Sequence, residues 1–312
     1  MKSTPATSAA DMLKDRILFT LKFVDLQQTP LTLGQLRNFL LNEPAVFQSG
    51  LTPAFEFAKP PPVPAAVSTD EIRQALVELS SQVQQQEGLL ALAGRTELIR
   101  EYGRNLKYRD HREALIRKFV PRLQLVPFVR GVGVGGSHTL GFPKPESDID
   151  LLIILDPEFL FLGRLLVTLY FQLTGYRRHG AKIRDRFCLN HYFAGTQTVR
   201  TEKDLYNAME YLRLRPEVFG SEIVHFVELN LSWIRQFFPN AHADPSFVQA
   251  QPRLQKLLET VCRNPLGRRL NQSLGRWQLR RIRRGEHAVA DQLELSFHSK
   301  RRKFEFLKRF LC

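Results

Sequence analysis

Two aspartates separated by one residue are the part of the sequence best suited to chemistry. Asp148 and Asp150 stand in the run Ser-Asp-Ile-Asp-Leu-Leu-Ile-Ile-Leu, whose apolar half is typical of a buried strand. Because side chains alternate along a strand, both carboxylates are expected on the same face. Mg²⁺ and Mn²⁺ prefer oxygen ligands, so this face is predicted to hold one of these ions.

A turn of small residues precedes the aspartates. It consists of Gly135, Gly136 and Ser137, and ten residues separate Ser137 from Asp148. Missing side chains let backbone N–H groups approach an anion closely, and the serine hydroxyl adds one donor. Taken alone, the glycines are equally typical of a tight turn. Combined with the aspartates, they predict a site for a nucleoside triphosphate (NTP) and its metal ion.

The spacing resembles the signature of the DNA polymerase β nucleotidyltransferase superfamily: Gly136-Ser137, ten residues, then Asp148-Ile149-Asp150-Leu151. The resemblance implies a mixed β-sheet flanked by helices, a phosphate-binding turn and two metal-binding aspartates. It also implies transfer of a nucleoside monophosphate from an NTP to an acceptor hydroxyl.

The whole chain is also similar to a poorly characterised group of bacterial proteins. They place a winged-helix-like segment before such a core and a helical region after it. The segments that carry this similarity are Leu21–Asp25, Pro30–Thr32, Arg164–Thr168, Cys188–Asn190 and Asp204–Tyr206.

Active members of the superfamily supply a third carboxylate from a later strand, and here the predicted strand Arg186–Phe193 offers Asn190. An amide can coordinate a metal but is not a general base near neutral pH. Asp185 is either a substitute or an ion-pair partner of its arginine neighbours. Alternation places His191 on the opposite strand face from Asn190. Two hypotheses stay open: an active nucleotidyltransferase, or an impaired one that binds nucleic acid or protein.

Basic residues suggest a polyanionic partner. The net charge is +14 and the pI is near 10. From Arg253 to Cys312 there are 16 Lys and Arg against 5 Asp and Glu, which makes RNA a plausible acceptor. The loop Tyr176–Lys182 and the residues just after it are predicted to neutralise the triphosphate or nucleic acid through Arg177, Arg178, Lys182 and Arg184; a solvated basic loop is the alternative.

The predicted organisation has four parts: a winged-helix-like module with a Pro-rich insertion (1–95), a basic linker helix (96–125), the nucleotidyltransferase core (126–204) and an all-helical basic region (205–312). The module rests on three helices and a hairpin at Gln82–Leu92. Its third helix has few basic residues, so DNA binding and simple packing both stay open. Asn42–Val67 is predicted to be a loop.

The three cysteines are too few and too scattered for a disulfide framework, which favours a reducing cytoplasm. No apolar run is long enough to span a bilayer, and the N-terminus lacks the apolar core of a signal peptide. The chain is therefore expected to be cytoplasmic. Its oligomeric state is not predicted.

Overall fold

A computed structural model describes residues 8–49, 61–141, 144–195, 203–243, 249–283, 289–290, 293–296 and 300–311. These residues form an α+β fold in which a mixed six-stranded sheet has helices on both faces. A smaller three-stranded sheet lies in the N-terminal module. The predicted fold class, a nucleotidyltransferase-type mixed sheet with flanking helices, is confirmed.

The N-terminal module contains the predicted helices and hairpin, and capping boxes at Thr32 and Ser68 begin two of its helices. The predicted loop Asn42–Val67 is wrong at its start, because a seven-residue helix begins at Glu43; residues 50–60 lie outside the described part of the chain. A winged helix stays a prediction. The elements are α1 (Ala9–Leu26), β1 (Leu31–Thr32), α2 (Leu33–Asn38), α3 (Glu43–Ser49), α4 (Thr69–Glu78), β2 (Val83–Gln86) and β3 (Leu89–Leu92), with strand order β1-β3-β2.

The central sheet has the strand order β7-β4-β5-β6-β9-β8, and its only described parallel pair is β5 with β6. The prediction of an all-helical chain beyond Leu205 is wrong, because β7, β8 and β9 complete this sheet. These strands have two to four residues, too few for periodicity to reveal them. The sheet therefore extends past residue 204. Its strands are β4 (Val129–Gly135), β5 (Ile149–Leu155), β6 (Phe187–Ala194), β7 (Arg215–Val218), β8 (Val289–Ala290) and β9 (Glu294–Ser296).

Helices cover both faces of the sheet. On one face Ile153 and Leu155 of β5 pack with α5 and α6, and on the other Leu152 and Ile154 pack with α7 and α8. The predicted linker helix α5 is thus part of the core. The helices are α5 (Thr96–Phe119, followed by a 3-10 helix at Val120–Leu125), α6 (Leu160–Leu173), α7 (Leu205–Leu212), α8 (Gly220–Phe237), α9 (Arg253–Cys262), α10 (Pro265–Arg283) and α11 (Lys300–Leu311).

Buried amides attach the basic helix α10 to α6. The Asn271 side-chain oxygen accepts hydrogen bonds from the N–H groups of Phe161 (3.1 Å) and Leu162 (2.9 Å) at the start of α6. Gln278 donates to the Phe161 carbonyl at 3.0 Å. These contacts satisfy helix-terminal groups that would otherwise lack partners, so one side of α10 is fixed to the fold. Among the described helices, none has the length and apolar character needed to cross a membrane.

Candidate functional site

The glycine turn and the aspartates are neighbours in the folded chain. Gly135, the last residue of β4, pairs with Asp150 in β5. Gly136 follows with a φ of +73°, and a Cβ atom at this position would lie 2.2 Å from the Asp150 Oδ2 atom. Only glycine fits both the backbone conformation and the space. The structure therefore brings together the turn and the carboxylates.

Hydrogen bonds fix the turn that contains Ser137. The Thr139 hydroxyl donates to the Gly136 carbonyl at 2.9 Å, and the Ser137 and Ser147 hydroxyl oxygens lie 3.5 Å apart. The next residue, His138, is buried and its Nε2 atom lies 2.7 Å from Glu113 of α5. Burial lowers the pKa of His138, although Glu113 opposes this effect. The turn is therefore anchored to α5.

Asp150 lies where its negative charge is unfavourable. Burial raises its pKa to about 7, and the nearby carboxylates of Asp148 and Glu210 act in the same direction. Asp148 is also partly buried, with 16% of its side chain exposed. Such like-charge pairs are typical of sites that receive a cation.

Cys188 of β6 completes a cluster with the two aspartates. It pairs with Asp150 in the parallel register, and its Sγ atom and one oxygen of each carboxylate all lie within 4.8 Å of one another. Burial, followed by the charges of Asp150 and Asp148, raises the pKa of the thiol. No motif or spacing in the sequence indicates a role for this cysteine. Only the pairing of β5 with β6 reveals its position.

The register of β6 shifts by one residue next to the cluster. Asp150 is opposite Cys188, whereas Leu152 is opposite His191, so β6 contains one extra residue between them. His191 lines a small cavity of about 20 Å³ together with Asp150. It therefore lies on the aspartate side of the sheet. Asn190, the predicted third ligand, is within β6, but its side chain lies outside the described residues.

One arginine of the basic loop contacts the cluster. Arg178 donates a hydrogen bond to Asp148 Oδ2 at 2.6 Å and another to Cys188 Sγ at 3.2 Å. Arg177, predicted together with Arg178 to neutralise the triphosphate, donates instead to the Gln172 side-chain oxygen at 3.4 Å. Lys182 is exposed. Adjacent residues on an extended segment point in opposite directions, which explains why Arg178 rather than Arg177 contacts the aspartates.

Asp185 forms ion pairs with arginines, which was one of its two predicted roles. Its carboxylate lies 2.8 Å from the guanidinium of Arg112, a fully buried residue of α5, and 3.3 Å from that of Arg184. A second Arg112 nitrogen donates to the Pro145 carbonyl at 3.0 Å. Arg112 therefore links α5 to the loop before β5 and, through Asp185, to the loop before β6. Asp185 is not part of the Asp148, Asp150 and Cys188 cluster.

Helix α7 adds an acidic and an aromatic group that no sequence motif indicates. Glu210 lines the small cavity beside Asp150 and forms an ion pair with Arg213. Burial raises the pKa of Tyr206, and the charges of Glu210 and Asp150 add to this effect. The four-residue spacing places Tyr206 and Glu210 on one face of α7. That spacing was the only sequence signal, and it is common in ordinary helices.

The comparisons with known proteins agree with this geometry. The family model of the nucleotidyltransferase domain matches residues 114–190, which include the glycine turn, both aspartates and Cys188. The search among curated proteins and the search among solved structures each returned no match. The resemblance inferred from the sequence is confirmed for this segment. The chain therefore carries a nucleotidyltransferase domain of the DNA polymerase β superfamily.

Proposed function

We propose that the protein is a metal-dependent nucleotidyltransferase that moves a nucleoside monophosphate from an NTP to an acceptor hydroxyl. The observation that supports this proposal is the close approach of the Asp150 carboxylate to Gly136, which leaves no room for a Cβ atom. Backbone N–H groups suited to phosphate would then lie beside carboxylates suited to a cation. Nucleotidyl transfer needs both, because the triphosphate and the cation are bound together.

The donor set fits a divalent cation. Asp148 and Asp150 would hold Mg²⁺ or Mn²⁺, whose positive charge stabilises the charge that develops on the attacking and leaving oxygens. The grouping of their oxygens supports this assignment. The raised pKa of Asp150 supports it as well, because a bound cation would remove the repulsion between the two carboxylates.

The chain's own groups bind and orient the triphosphate. The Gly136 and Ser137 N–H groups and the Ser137 hydroxyl bind the β and γ phosphates. Arg178 lies close enough to the aspartates to neutralise phosphate charge, while Arg177 and Lys182 contribute from the outer part of the loop. Held by these groups, the triphosphate would present its α-phosphate to an incoming hydroxyl in a fixed orientation.

We infer that the acceptor is RNA bound by α10. The side of α10 that faces away from α6 exposes Arg269, Arg276, Arg280 and Arg281. Trp277 on the same helix is 54% exposed, and the Arg281 guanidinium lies 5.6 Å from its ring centroid. Arginines that contact phosphate and an exposed aromatic that stacks on a base are a typical combination for single-stranded nucleic acid.

Pyrophosphate release tests the enzymatic proposal. The purified protein is incubated with Mg²⁺ or Mn²⁺, each NTP, and pooled RNA, metabolites or its own chain as acceptors. We expect release with RNA that disappears in Asp148→Ala and persists in the control Asp70→Ala, a carboxylate on the exposed surface of α4. Pyrophosphate release with another acceptor would support the enzymatic proposal and contradict RNA as the acceptor.

A binding protein that kept the fold without catalysis is the second candidate. One observation supports this candidate: among the described residues of β6, a thiol and not a carboxylate lies beside the aspartates. This candidate predicts RNA binding without pyrophosphate release under any condition above.

Salt dependence tests the RNA surface separately. Affinity for single-stranded RNA should fall steeply as salt rises, and Arg276→Gln with Arg280→Gln should reduce the slope of this dependence by about 2. Arg73→Gln, an exposed arginine on α4, is the matched control. A flat salt dependence would reject RNA binding by α10.

A further inference from the structure

We propose that Cys188 is the third metal ligand and that the site binds thiophilic divalent ions such as Zn²⁺ and Co²⁺ more tightly than Mg²⁺. This inference deepens the proposed function, since it concerns the same site. It differs from a site built of carboxylates alone, where affinity for Zn²⁺ and Co²⁺ would gain nothing from a thiolate ligand.

The Cys188 sulfur lies close to the carboxylates of both aspartates. The Cα of Cys188 is in register with that of Asp150, and its Sγ atom and the carboxylate oxygens of Asp148 and Asp150 converge within 4.8 Å. Zinc–sulfur and zinc–oxygen distances are about 2.3 Å and about 2.0–2.2 Å. An ion at the centre of the three atoms can thus reach all of them with small side-chain movements.

The surroundings of Cys188 separate it from an ordinary core cysteine. It is 1% exposed, yet within the described residues it belongs to none of the apolar clusters of the core. Its sulfur instead accepts a hydrogen bond from Arg178 and faces two carboxylates. A buried thiol used only for packing would have apolar neighbours.

Metal binding exchanges a proton for the ion. The Cys188 S–H bond breaks, its proton goes to solvent, and the sulfur electron pair forms the bond to the metal. Arg178 now donates to both Asp148 and Cys188, so its positive charge lies next to the ligand atoms. Entry of the ion requires Arg178 to move away from them, where it becomes available to a phosphate.

Cobalt spectroscopy tests the inference without any assay of activity. Co²⁺ is titrated into the full-length protein, and a sulfur-to-cobalt charge-transfer band in the near ultraviolet is expected. The band should be lost in Cys188→Ser and retained in Cys262→Ser, whose thiol lies outside the cluster. Glu210→Gln, beside Asp150 but outside the ligand set, should also retain it.

Calorimetry provides an independent readout. Zn²⁺ affinity should fall by about 10- to 100-fold in Cys188→Ser, and one proton fewer should be released on binding. Mg²⁺ affinity should change much less, because Mg²⁺ gains little from sulfur. Circular dichroism spectra of Cys188→Ser and of a second variant, Cys188→Ala, check that any loss of Zn²⁺ affinity does not come from misfolding.

The two proposals fail in different ways. If the wild-type protein shows Mg²⁺-dependent NTP binding but no charge-transfer band, or if the band survives in Cys188→Ser, the inference about Cys188 is wrong and the proposed function stands. If the band is present and depends on Cys188 while no NTP binds with any metal, the metal site is correct and the nucleotidyl-transfer proposal is wrong.

Discussion

Strand β5 has carboxylates at both ends, and their surroundings are opposite in character. At its start, Asp148 and Asp150 have Arg178 as their nearest described cation, and the pKa of Asp150 is raised to about 7 by burial and by Asp148. Just after its end, Asp156 forms ion pairs with Arg130 at 2.9 Å and Arg263 at 2.5 Å.

Glu259 of α9 extends the paired end. It accepts hydrogen bonds from Arg130 at 2.7 Å and from the Phe128 N–H at 2.8 Å. Burial opposes its ionisation, but these bonds outweigh burial and lower its pKa. The charges at this end are balanced and hold α9 on the sheet. We propose that those at the start receive a cation from solution, so that one end of β5 would serve stability and the other function.

The largest expected effect is a loss of activity without a loss of stability when Asp150 is changed. Asp150→Asn should reduce nucleotidyl transfer by about 10³-fold, since one ligand of the cation is lost. The same change should leave the free energy of unfolding in EDTA unchanged or higher, because it removes a repulsive buried charge. Steady-state pyrophosphate release and urea denaturation measure the two effects. A large loss of stability would show that Asp150 is a structural residue.

The reverse outcome is expected at the paired end. Arg130→Met should lower the free energy of unfolding by about 2–3 kcal/mol, because Glu259 and Asp156 lose their shared cation. The loss is somewhat smaller than for a fully buried pair, since Arg130 is partly exposed. Activity per folded molecule should be retained. Denaturant unfolding and an assay below the transition measure this. If activity fell as strongly as in Asp150→Asn, the two ends would not have separate roles.

A smaller effect is expected at the glycine turn. Gly136→Ala should reduce NTP affinity by on the order of 10- to 100-fold, because the new methyl group would push the Asp150 carboxylate out of place. Gly88→Ala is the matched control, since Gly88 also has a positive φ of +76° but no atom within 4 Å of the added Cβ. It should cost about 1 kcal/mol of stability and leave NTP affinity unchanged. Equal affinity in both variants would contradict the close approach.

The smallest effect is a dependence on pH. Because the folded-state pKa of Glu259 is lowered, its ionised form stabilises the protein above the ordinary glutamate pKa, and this stabilisation is lost as the pH falls through the lowered value. The free energy of unfolding of wild type should exceed that of Glu259→Gln by about 1 kcal/mol near pH 7, and this difference should disappear in acid. Urea denaturation across this range measures it. A difference that grows in acid would contradict the sign.

Local spacing was enough to predict the turn, the two aspartates and the main elements of the core. Gly136, Ser137, Asp148 and Asp150 lie within 15 residues, and their relation depends only on one turn and one strand. The family match at residues 114–190 confirms the superfamily that this spacing suggested.

The sequence did not reveal features that depend on tertiary pairing. Cys188 meets Asp150 only through the parallel register of β5 and β6, and that register shifts one residue later. The choice of Arg178 over Arg177 depends on which way one short segment faces the cluster. Strand β7 contains Pro216 and lies at the sheet edge, where its short sequence has no strand pattern of its own.

Nucleotide binding is the sharpest test of a metal-dependent triphosphate site at Asp148 and Asp150, because it needs no knowledge of the acceptor. Each ribonucleoside triphosphate is titrated calorimetrically into wild type with Mg²⁺, wild type with EDTA, and Asp150→Asn with Mg²⁺. We expect at least one NTP to bind wild type with Mg²⁺, and we expect this binding to be lost in EDTA and in the variant. Binding that is the same under all three conditions, or no binding to wild type with any NTP, would contradict a metal-dependent triphosphate site.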